Sequence, residues 1–357
     1  MTDTSTRAAE PARSMCDRPA AVAQWLMRNG QSVQEPVTVT RVGFGQSNIT
    51  SCVSDGAGRE WILREPPPGA AVGSAHDVHR EARIIAALES SGIPVPRVVG
   101  MGRSPDGSPF FVMERVNGRA LESEQDAGPL TPAQRQQIGR QVATILGRLH
   151  TLDTGRLGLP EPRSPYLERQ IRRVTQAWDV YGRDTRHDAG WQRLRDGLAQ
   201  SMPARSAPPV IMHGDLRLSN MLVDGGEVTA VLDWELAAIG DPLADLAWLL
   251  DDWRAPEEPG IVMPSPTRAG GFPDRDEMIE IYHAVSGVPV DGIDYYRAFS
   301  QWRAAGLLQG VLVRRRKGQM GDHGAVDLEQ LDSSIATLLS SAAEHLARCT
   351  GAGPRTG

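Results

Sequence analysis

A group of polar residues near the middle of the chain has the types and the spacing that phosphoryl transfer requires. Asp215 and Asn220 lie five residues apart in one polar stretch, and Asp233 follows two apolar runs and an Asp-Gly-Gly turn. A carboxylate can orient and deprotonate an attacking hydroxyl, while an amide oxygen and a second carboxylate can hold Mg²⁺ on nucleotide phosphates. The pattern predicts a catalytic base at Asp215 and magnesium ligands at Asn220 and Asp233.

The same residues have a purely structural interpretation, because Asp, Asn and Gly are common turn formers. The apolar runs over 209–233 are bounded by Gly and Asp, which predicts three short strands that lift the polar side chains out of a buried frame. In protein kinases the Asp and Asn of the catalytic loop have this separation, and a metal-binding Asp follows later in the chain. The order of the residues and the strand frame together favour catalysis.

Three motifs resemble those of the aminoglycoside phosphotransferase and choline kinase superfamily: His213-Gly-Asp-Leu-Arg-Leu-Ser-Asn220, Leu232-Asp-Trp-Glu235 and Gly240-Asp-Pro-Leu-Ala-Asp245. The resemblance extends from about residue 36 to about residue 345. It is closest to the phosphotransferase branch that resembles the kinase domain associated with acyl-CoA dehydrogenases. It implies an α+β, bilobal protein-kinase-like fold with a small antiparallel β-rich N-lobe and a larger, mainly helical C-lobe. It also implies ATP- and Mg²⁺-dependent O-phosphorylation of a small molecule.

A glycine-containing turn precedes this set and is similar to the nucleotide-covering turn of the family. Its candidate phosphate-contacting residues are Gly43, Gly45, Ser47 and Asn48. Glycine adds no Cβ, so backbone N–H groups there can approach phosphates. A plain hairpin turn is the alternative. The chain lacks the third glycine of a GxGxxG fingerprint and has no GxxxxGK[ST] sequence, which disfavours Rossmann and Walker-type nucleotide sites.

The resemblance also implies nucleotide contacts from a strand and a helix. Arg64 occupies the position of the basic residue that contacts the α and β phosphates, where arginine can bind bidentately. Glu81, on a predicted helix over 76–90, is expected to hold Arg64, although a solvent-exposed glutamate paired with a neighbouring arginine is the alternative. The backbone from Glu114 to Val116 is expected to bind the adenine ring.

The acceptor is the least determined part of the prediction. Arg217 either neutralises charge on the transferring group, as a catalytic residue, or makes a structural bond. The predicted helix at 293–317 carries a row of basic residues: Arg297, Arg303, Arg314, Arg315, Arg316 and Lys317. If some of them line the pocket, they favour an anionic acceptor such as a hydroxyacyl-CoA or a hydroxy acid; if they are a solvent-exposed face, an aminoglycoside phosphotransferase is the alternative. A nucleotide-binding pseudokinase with a scaffolding role is the alternative of another class.

Composition excludes several other classes of protein. The 357 residues are 40% hydrophobic and 23% charged, as in ordinary globular proteins, and the net charge of −6 gives no drive toward nucleic acid or an anionic membrane. Three scattered cysteines without a CxxC pair argue against a disulfide framework or a zinc site and favour a cytoplasmic protein. The oligomeric state stays open.

The predicted domain organisation follows the changes in composition. Residues 1–18 are expected to be disordered, 19–115 to form the nucleotide-binding N-lobe, 116–348 to form the C-lobe with the catalytic loop and acceptor site, and 349–357 to be a tail. The Pro- and Gly-rich segment 254–276 is too long for an ordinary connection, so a lid over the acceptor pocket is one interpretation. Asp241 and Asp245, at the start of a predicted helix, are expected to be structural carboxylates.

Overall fold

The computed structural model describes residues 14–42, 48–67, 77–160, 163–203, 207–319, 327–349 and 351. The chain divides into two compact units. The first comprises Met1–Ser90 and Val95–Val116, and the second comprises Ser91–Pro94 and Asn117–Gly357. The predicted phosphate-contacting residues Gly43, Gly45 and Ser47 lie outside the described residues.

The first unit is built on an antiparallel sheet that has five strands among its described residues. In chain order its elements are α1 (Pro19–Arg28), β1 (Thr38–Arg41), β2 (Ile49–Ser54), β3 (Glu60–Glu65), α2 (Val78–Leu88), β4 (Val98–Arg103) and β5 (Pro109–Glu114). The strand order is β1-β2-β3-β5-β4. Because β3 is central, Arg64 is paired on both sides, with Thr50 on β2 and Phe111 on β5.

Helix α1 covers one face of this sheet. Its residues Val22 and Leu26 are four apart, which places them on the same side of the helix, and both are buried against Trp61 of β3 and Phe110 of β5. Trp25 adds an edge-on contact with the ring of Phe110 at a centroid distance of 5.2 Å. The resulting apolar core fixes the strands that carry Arg64.

The prediction that residues 1–18 are disordered is wrong for the part that the structure describes. A 3-10 turn spans Met15–Asp17, and Met15 is buried. The carboxylate of Glu65 accepts from the backbone N–H of Met15 (2.8 Å), the N–H of Cys16 (3.0 Å) and the hydroxyl of Ser14 (2.8 Å). Glu65 is itself buried, so these donors satisfy a charge that would otherwise be costly to bury.

The second unit is mainly helical. Its helices and strands are α3 (Glu124–Ala127), α4 (Pro132–Thr151), α5 (Tyr166–Tyr181), α6 (Asp188–Gln200), β6 (Val210–Met212), β7 (Met221–Asp224), β8 (Glu227–Val231), β9 (Ala238–Gly240), α7 (Pro242–Asp252), α8 (Arg275–Ser286), α9 (Ile293–Arg316) and α10 (Leu328–Cys349). Strand β6 pairs with β9 and β7 pairs with β8, both antiparallel. The loop between β6 and β7 contains the predicted catalytic residues.

Local capping sets where the helices that frame this loop begin. Thr131 and Gln134 form a capping box at the start of α4, with Pro132 in the first turn. Asp241 accepts from the N–H of Leu243 (3.1 Å) and caps α7, and its other oxygen accepts from the hydroxyl of Tyr296 (2.8 Å) on α9. Asp241 is therefore a structural carboxylate, as predicted.

Helix α9 forms the centre of the helical core. Its residue Trp302 belongs to a stack of three tryptophan rings, together with Trp191 of α6 and Trp178 of α5. The centroid distances are 4.5 Å between Trp302 and Trp191 and 4.3 Å between Trp191 and Trp178. The indole N–H of Trp302 donates to the carbonyl of Trp191 at 3.1 Å. Within the described part of the chain, no helix is long and apolar enough to cross a membrane.

The Pro- and Gly-rich segment 254–276 is held by hydrogen bonds within itself and to other elements. It contains a 3-10 turn at Pro266–Ala269, and the hydroxyl of Thr267 donates to the carbonyl of Arg254 at 2.8 Å. The segment is also tied to other helices, because Arg135 of α4 donates to the carbonyl of Ala269 (2.7 Å). A long connection is thus anchored by hydrogen bonds that its composition alone does not reveal.

Candidate active site

A buried histidine organises the loop that follows β6. The backbone N–H of Asp215 donates to Nδ1 of His213 at 3.2 Å, so Nε2 carries the ring proton and donates to the carbonyl of Leu232 at 2.9 Å. The ring is completely buried and lies against Trp234 at a centroid distance of 4.6 Å. His213 therefore holds the loop through backbone hydrogen bonds.

Asp245, in the first turn of α7, fixes the start of the same loop. Its carboxylate accepts from the N–H of His213 (2.8 Å), the N–H of Gly214 (2.9 Å) and Nε2 of His150 (3.3 Å). Burial alone would raise the pKa of Asp245, but these hydrogen bonds and the neighbouring histidines outweigh it and lower the pKa below the ordinary value. Gly214 has a φ of +86°, and a Cβ there would lie 2.8 Å from the carbonyl oxygen of Leu236.

Both carboxylate oxygens of Asp215 accept a hydrogen bond. Nδ2 of Asn220 donates to Oδ2 at 2.9 Å and also to the backbone carbonyl of Asp215 at 2.8 Å, while the indole Nε1 of Trp248 donates to Oδ1 at 2.7 Å. Because the amide nitrogen of Asn220 is used in this way, its oxygen is the atom left to bind a cation. The two residues that the sequence predicts as base and metal ligand are therefore in direct contact.

Asp233 is brought to this loop by its neighbour in the chain. The N–H of Leu232 donates to the carbonyl of Asn220 at 2.8 Å, and the carbonyl of Leu232 accepts from His213. Asp233 then adopts a φ of +62° in the left-handed region, which costs a non-glycine residue on the order of 1–3 kcal/mol. Strained backbone of this kind is typical of functional sites, which supports the prediction that Asp233 has a role beyond forming a turn.

The oxygens of Asn220 and Asp233 are suitable ligands for magnesium. Mg²⁺ prefers hard oxygen ligands and usually takes one or two carboxylates from the protein, with substrate phosphates and water completing its shell. The described residues contain no group of three or more His, Cys, Asp or Glu side chains that could hold a metal ion. The residues present fit a magnesium ion that arrives with nucleotide phosphates.

Arg217 is held by an acidic residue at the end of α7. Its Nη2 lies 3.0 Å from Oδ1 of Asp252. Burial raises the pKa of Asp252 to about 6; the charge of Arg217 lowers it and the nearby Asp215 carboxylate raises it further. The structure thus gives Arg217 a structural bond, and its predicted catalytic role stays a prediction.

Three residues on one face of α7 contact the loop between β6 and β7. Asp245, Trp248 and Asp252 are at positions i, i+3 and i+7, which share one face of a helix. They contact His213 and Gly214, then Asp215, then Arg217, so successive turns of the helix hold successive parts of the loop. The sequence did not predict the roles of Trp248 and Asp252, because their spacing from Asp245 indicates a shared helix face but not which loop that face contacts.

The first unit contains residues that the sequence predicts to bind the nucleotide. Nη2 of Arg64 lies 3.2 Å from Oε1 of Glu81, and Nδ2 of Asn48 donates to Oε2 of the same carboxylate at 3.3 Å. The side chain of Glu81 is 1% exposed, so the alternative of a solvent-exposed helix glutamate is wrong. One buried carboxylate therefore orients two residues that the sequence assigns to nucleotide binding.

The predicted adenine-binding backbone begins at the end of β5. The N–H of Glu114 donates to the carbonyl of Arg97 at 2.9 Å, and its side chain accepts from Nε of Arg97 at 2.9 Å. This amide is therefore not available to donate to a purine ring. Val116, the other predicted residue, is half-buried, and its role stays a prediction.

The basic residues of α9 fall into two groups. Arg297 pairs with Asp251 of α7 at 3.1 Å, and the guanidinium of Arg303 lies 4.6 Å from the centre of the Trp248 ring. Residues 314–317 begin eleven positions beyond Arg303, which is about 16 Å along the helix axis. Arg303 of the first group contacts Trp248, which bonds to Asp215.

Comparison with known proteins agrees with this geometry. The sequence profile described as "Phosphotransferase enzyme family" matches residues 38–281, more than half of the chain. Acyl-CoA dehydrogenase family member 10 of Mus musculus is 32% identical over 313 residues, which cover 85% of this chain but only 29% of that protein. The chain thus spans less than a third of that relative's length.

Solved structures show the same fold. A crystal structure from Ralstonia eutropha JMP134, of a protein provisionally named an aminoglycoside phosphotransferase, is 28% identical with a TM-score of 0.75 and covers 90% of this chain and 97% of that one. Aminoglycoside phosphotransferase APH(4)-Ia, in a ternary complex with AMP-PNP and hygromycin B, is 18% identical with a TM-score of 0.60, covering 91% and 99%. The chain therefore has the predicted α+β, protein-kinase-like fold.

Proposed function

This chain belongs to the phosphotransferase enzyme family, and from that premise we propose that it transfers the γ-phosphoryl group of ATP to a hydroxyl group of a small molecule. The observation that carries the proposal is the arrangement around Asp215. A carboxylate whose two oxygens are each fixed by a hydrogen bond lies beside Asn220, and the chain then leads through Leu232 directly to Asp233. Positioning of this kind supplies most of the catalysis that phosphoryl transfer needs.

In the proposed reaction the acceptor hydroxyl attacks the γ-phosphorus as its proton passes to the carboxylate of Asp215. The new O–P bond forms as the bond between the γ-phosphorus and the bridging oxygen breaks, and ADP leaves with that oxygen. Asn220 and Asp233 would hold Mg²⁺, which neutralises charge on the phosphates. Use of an ATP-like nucleotide is supported by the AMP-PNP complex of the related aminoglycoside phosphotransferase.

Arg64 is proposed to bind nucleotide phosphates. A guanidinium can donate two parallel hydrogen bonds to a phosphate, and the ion pair with Glu81 holds Arg64 in one orientation. Asn48, bound to the same carboxylate, adjoins the glycine turn in the sequence and is proposed to contribute to the same site. Gly43, Gly45 and Ser47 remain proposed contacts from that turn. The backbone carbonyl of Glu114 and the backbone of Val116 remain proposed contacts to the adenine ring.

For the acceptor we propose an anionic molecule, and Arg303 is the observation that favours it. In the described part of the chain, its guanidinium forms no ion pair with a carboxylate, and it rests on the ring that bonds to Asp215. The acidic residues nearby are already paired, Asp251 with Arg297 and Asp252 with Arg217. This balance suits a hydroxyacyl-CoA or hydroxy acid better than a polycationic aminoglycoside.

The test is release of ADP from ATP·Mg²⁺ by the purified protein with two acceptor panels, hydroxyacyl-CoAs with hydroxy acids, and aminoglycosides. We expect turnover with the first panel, and we expect Arg303→Met to raise KM for the acceptor about tenfold without changing KM for ATP. Arg316→Met, an exposed position on the same helix, is the matched control. Turnover with aminoglycosides alone would refute the anionic acceptor, and nucleotide binding without turnover would favour the scaffolding alternative.

A further inference from the structure

The indole of Trp248 connects two charged side chains. Its Nε1–H donates to Oδ1 of Asp215 at 2.7 Å, and the guanidinium of Arg303 lies over its ring at 4.6 Å. Tryptophan has one polar atom, and here that atom is used on the predicted base. Trp248 is half-buried. Trp253, five residues further along the chain, is buried, and its indole N–H donates to the backbone carbonyl of Pro273 at 2.8 Å.

The position of Arg303 strengthens this hydrogen bond. A cation over the face of an indole is attracted to its electrons and draws them toward itself. The N–H at the edge of the ring becomes more positive, and hydrogen bonds linked in this way reinforce one another. A donor to a carboxylate at 2.7 Å already lies in the short range of charge-assisted bonds.

The second oxygen of Asp215 is held independently. Asn220 donates to Oδ2 at 2.9 Å, so the carboxylate is anchored at both oxygens and cannot rotate without losing one bond. Each oxygen keeps a lone pair that neither donor uses. The direction from which an acceptor hydroxyl can deliver its proton is therefore restricted by Trp248 and Asn220 together.

We propose that Trp248 is a positioning residue for the transfer reaction. Its indole N–H fixes the orientation of the Asp215 carboxylate, and so the lone pairs that Asp215 presents to the acceptor. The guanidinium of Arg303, which lies over the face of the indole, makes that N–H a stronger donor. The proposal rests on the proposed function, because it requires Asp215 to be the base. It gives Arg303 a second effect, on kcat, in addition to its effect on binding of the acceptor.

Trp248→Phe tests the proposal, because it keeps an aromatic ring and removes the donor. We expect kcat to fall about tenfold or more while KM for ATP is unchanged. Trp253→Phe, which also removes an indole hydrogen bond, is the matched control and should not change kcat.

Two further variants separate positioning from packing. Trp248→His retains a ring N–H and should have a higher kcat than Trp248→Phe, whereas a packing role predicts the reverse, because phenylalanine better preserves apolar contacts. Arg303→Met should lower kcat in the wild-type background and have little effect on kcat in Trp248→Phe. Equal kcat for Trp248→Phe and Trp253→Phe would overturn the proposal while leaving the proposed function intact. An inactive wild-type enzyme on every acceptor would instead overturn the proposed function and this inference with it.

Discussion

Asn220 donates through one amide nitrogen to both the side chain and the backbone carbonyl of Asp215, at 2.9 and 2.8 Å. This double contact fixes the orientation of the amide and turns its oxygen away from the carboxylate. The residue proposed to remove a proton and a residue proposed to bind magnesium are thus positioned by a single interaction. Asp233 follows Leu232, whose N–H is bonded to the carbonyl of Asn220, so the second proposed ligand depends on the same loop.

Asp233→Asn should weaken magnesium binding more than nucleotide binding. The substitution removes one negative charge from the proposed ligand set, and we expect the Mg²⁺ concentration for half-maximal activity to rise about tenfold. Titration of activity with Mg²⁺ measures this change, and calorimetry with ATP in the absence of the metal should show little difference. Asp224→Asn, at the exposed turn between β7 and β8, is the control. An unchanged Mg²⁺ requirement in Asp233→Asn would remove this residue from the metal site.

Glu81→Gln should impair both nucleotide binding and folding. The buried carboxylate holds Arg64 and Asn48, and its replacement removes the charge that pairs with the guanidinium of Arg64. We expect the free energy of unfolding to fall by about 3 kcal/mol and KM for ATP to rise about tenfold. Urea denaturation and initial-rate kinetics measure the two effects.

The exposed helical residue Glu280 provides the control for that prediction, as Glu280→Gln should change neither quantity. Loss of stability in Glu81→Gln with KM for ATP unchanged would show that Glu81 supports the fold alone. That result would contradict its proposed role in orienting Arg64 toward phosphate.

Asp252 should make stability depend on pH in a defined window. Its pKa is about 6 in the folded protein because of burial, against about 3.9 for an unperturbed aspartate. Between these values the folded state holds a proton that the unfolded state has lost, so stability falls as pH rises and the full cost is present above pH 6. The expected cost is roughly 3 kcal/mol, since each pKa unit corresponds to about 1.4 kcal/mol.

Asp252→Asn removes this titration and isolates it from that of other groups. Raising the pH from 4 to 7 should lower the unfolding free energy of the wild type by roughly 2 kcal/mol relative to that of Asp252→Asn, because part of the cost is already present at pH 4. Denaturation curves at several pH values measure it, with Asp224→Asn as a control for the substitution itself. A difference that is independent of pH would show that Asp252 ionises in the folded state as it does in the unfolded chain.

Elements with strong local signals were predicted well. Helix α2 (Val78–Leu88) lies within the predicted range 76–90, and helix α9 (Ile293–Arg316) differs by one residue from the predicted range 293–317. The start of helix α4 is also specified locally, by a capping box whose two residues are three positions apart. The order of Asp215, Asn220 and Asp233 was likewise sufficient to predict a phosphotransferase, since those residues form one local motif.

The contacts that helix α7 makes with the catalytic loop were not predicted. Trp248 bonds to Asp215 across 33 residues and Asp252 to Arg217 across 35, and no local pattern states which loop a helix face will meet. Strand β9 has only three residues and depends on pairing with β6, so its own sequence carries little signal. The ordered turn at 15–17 likewise depends on Glu65, 50 residues away from Met15.

The central claim is that Asp215 is the base of a phosphoryl-transfer enzyme, and Asp215→Asn tests it most directly. The asparagine side chain is nearly isosteric but is a far weaker base, so turnover of ATP·Mg²⁺ with an acceptor that the wild type uses should fall by about 10²–10⁴-fold. Asp179→Asn, at an exposed position on α5, should retain full activity. Calorimetry should give the same affinity of both variants for ATP as for the wild type. Loss of turnover with nucleotide binding preserved is the predicted result, and an undiminished rate in Asp215→Asn would contradict the account.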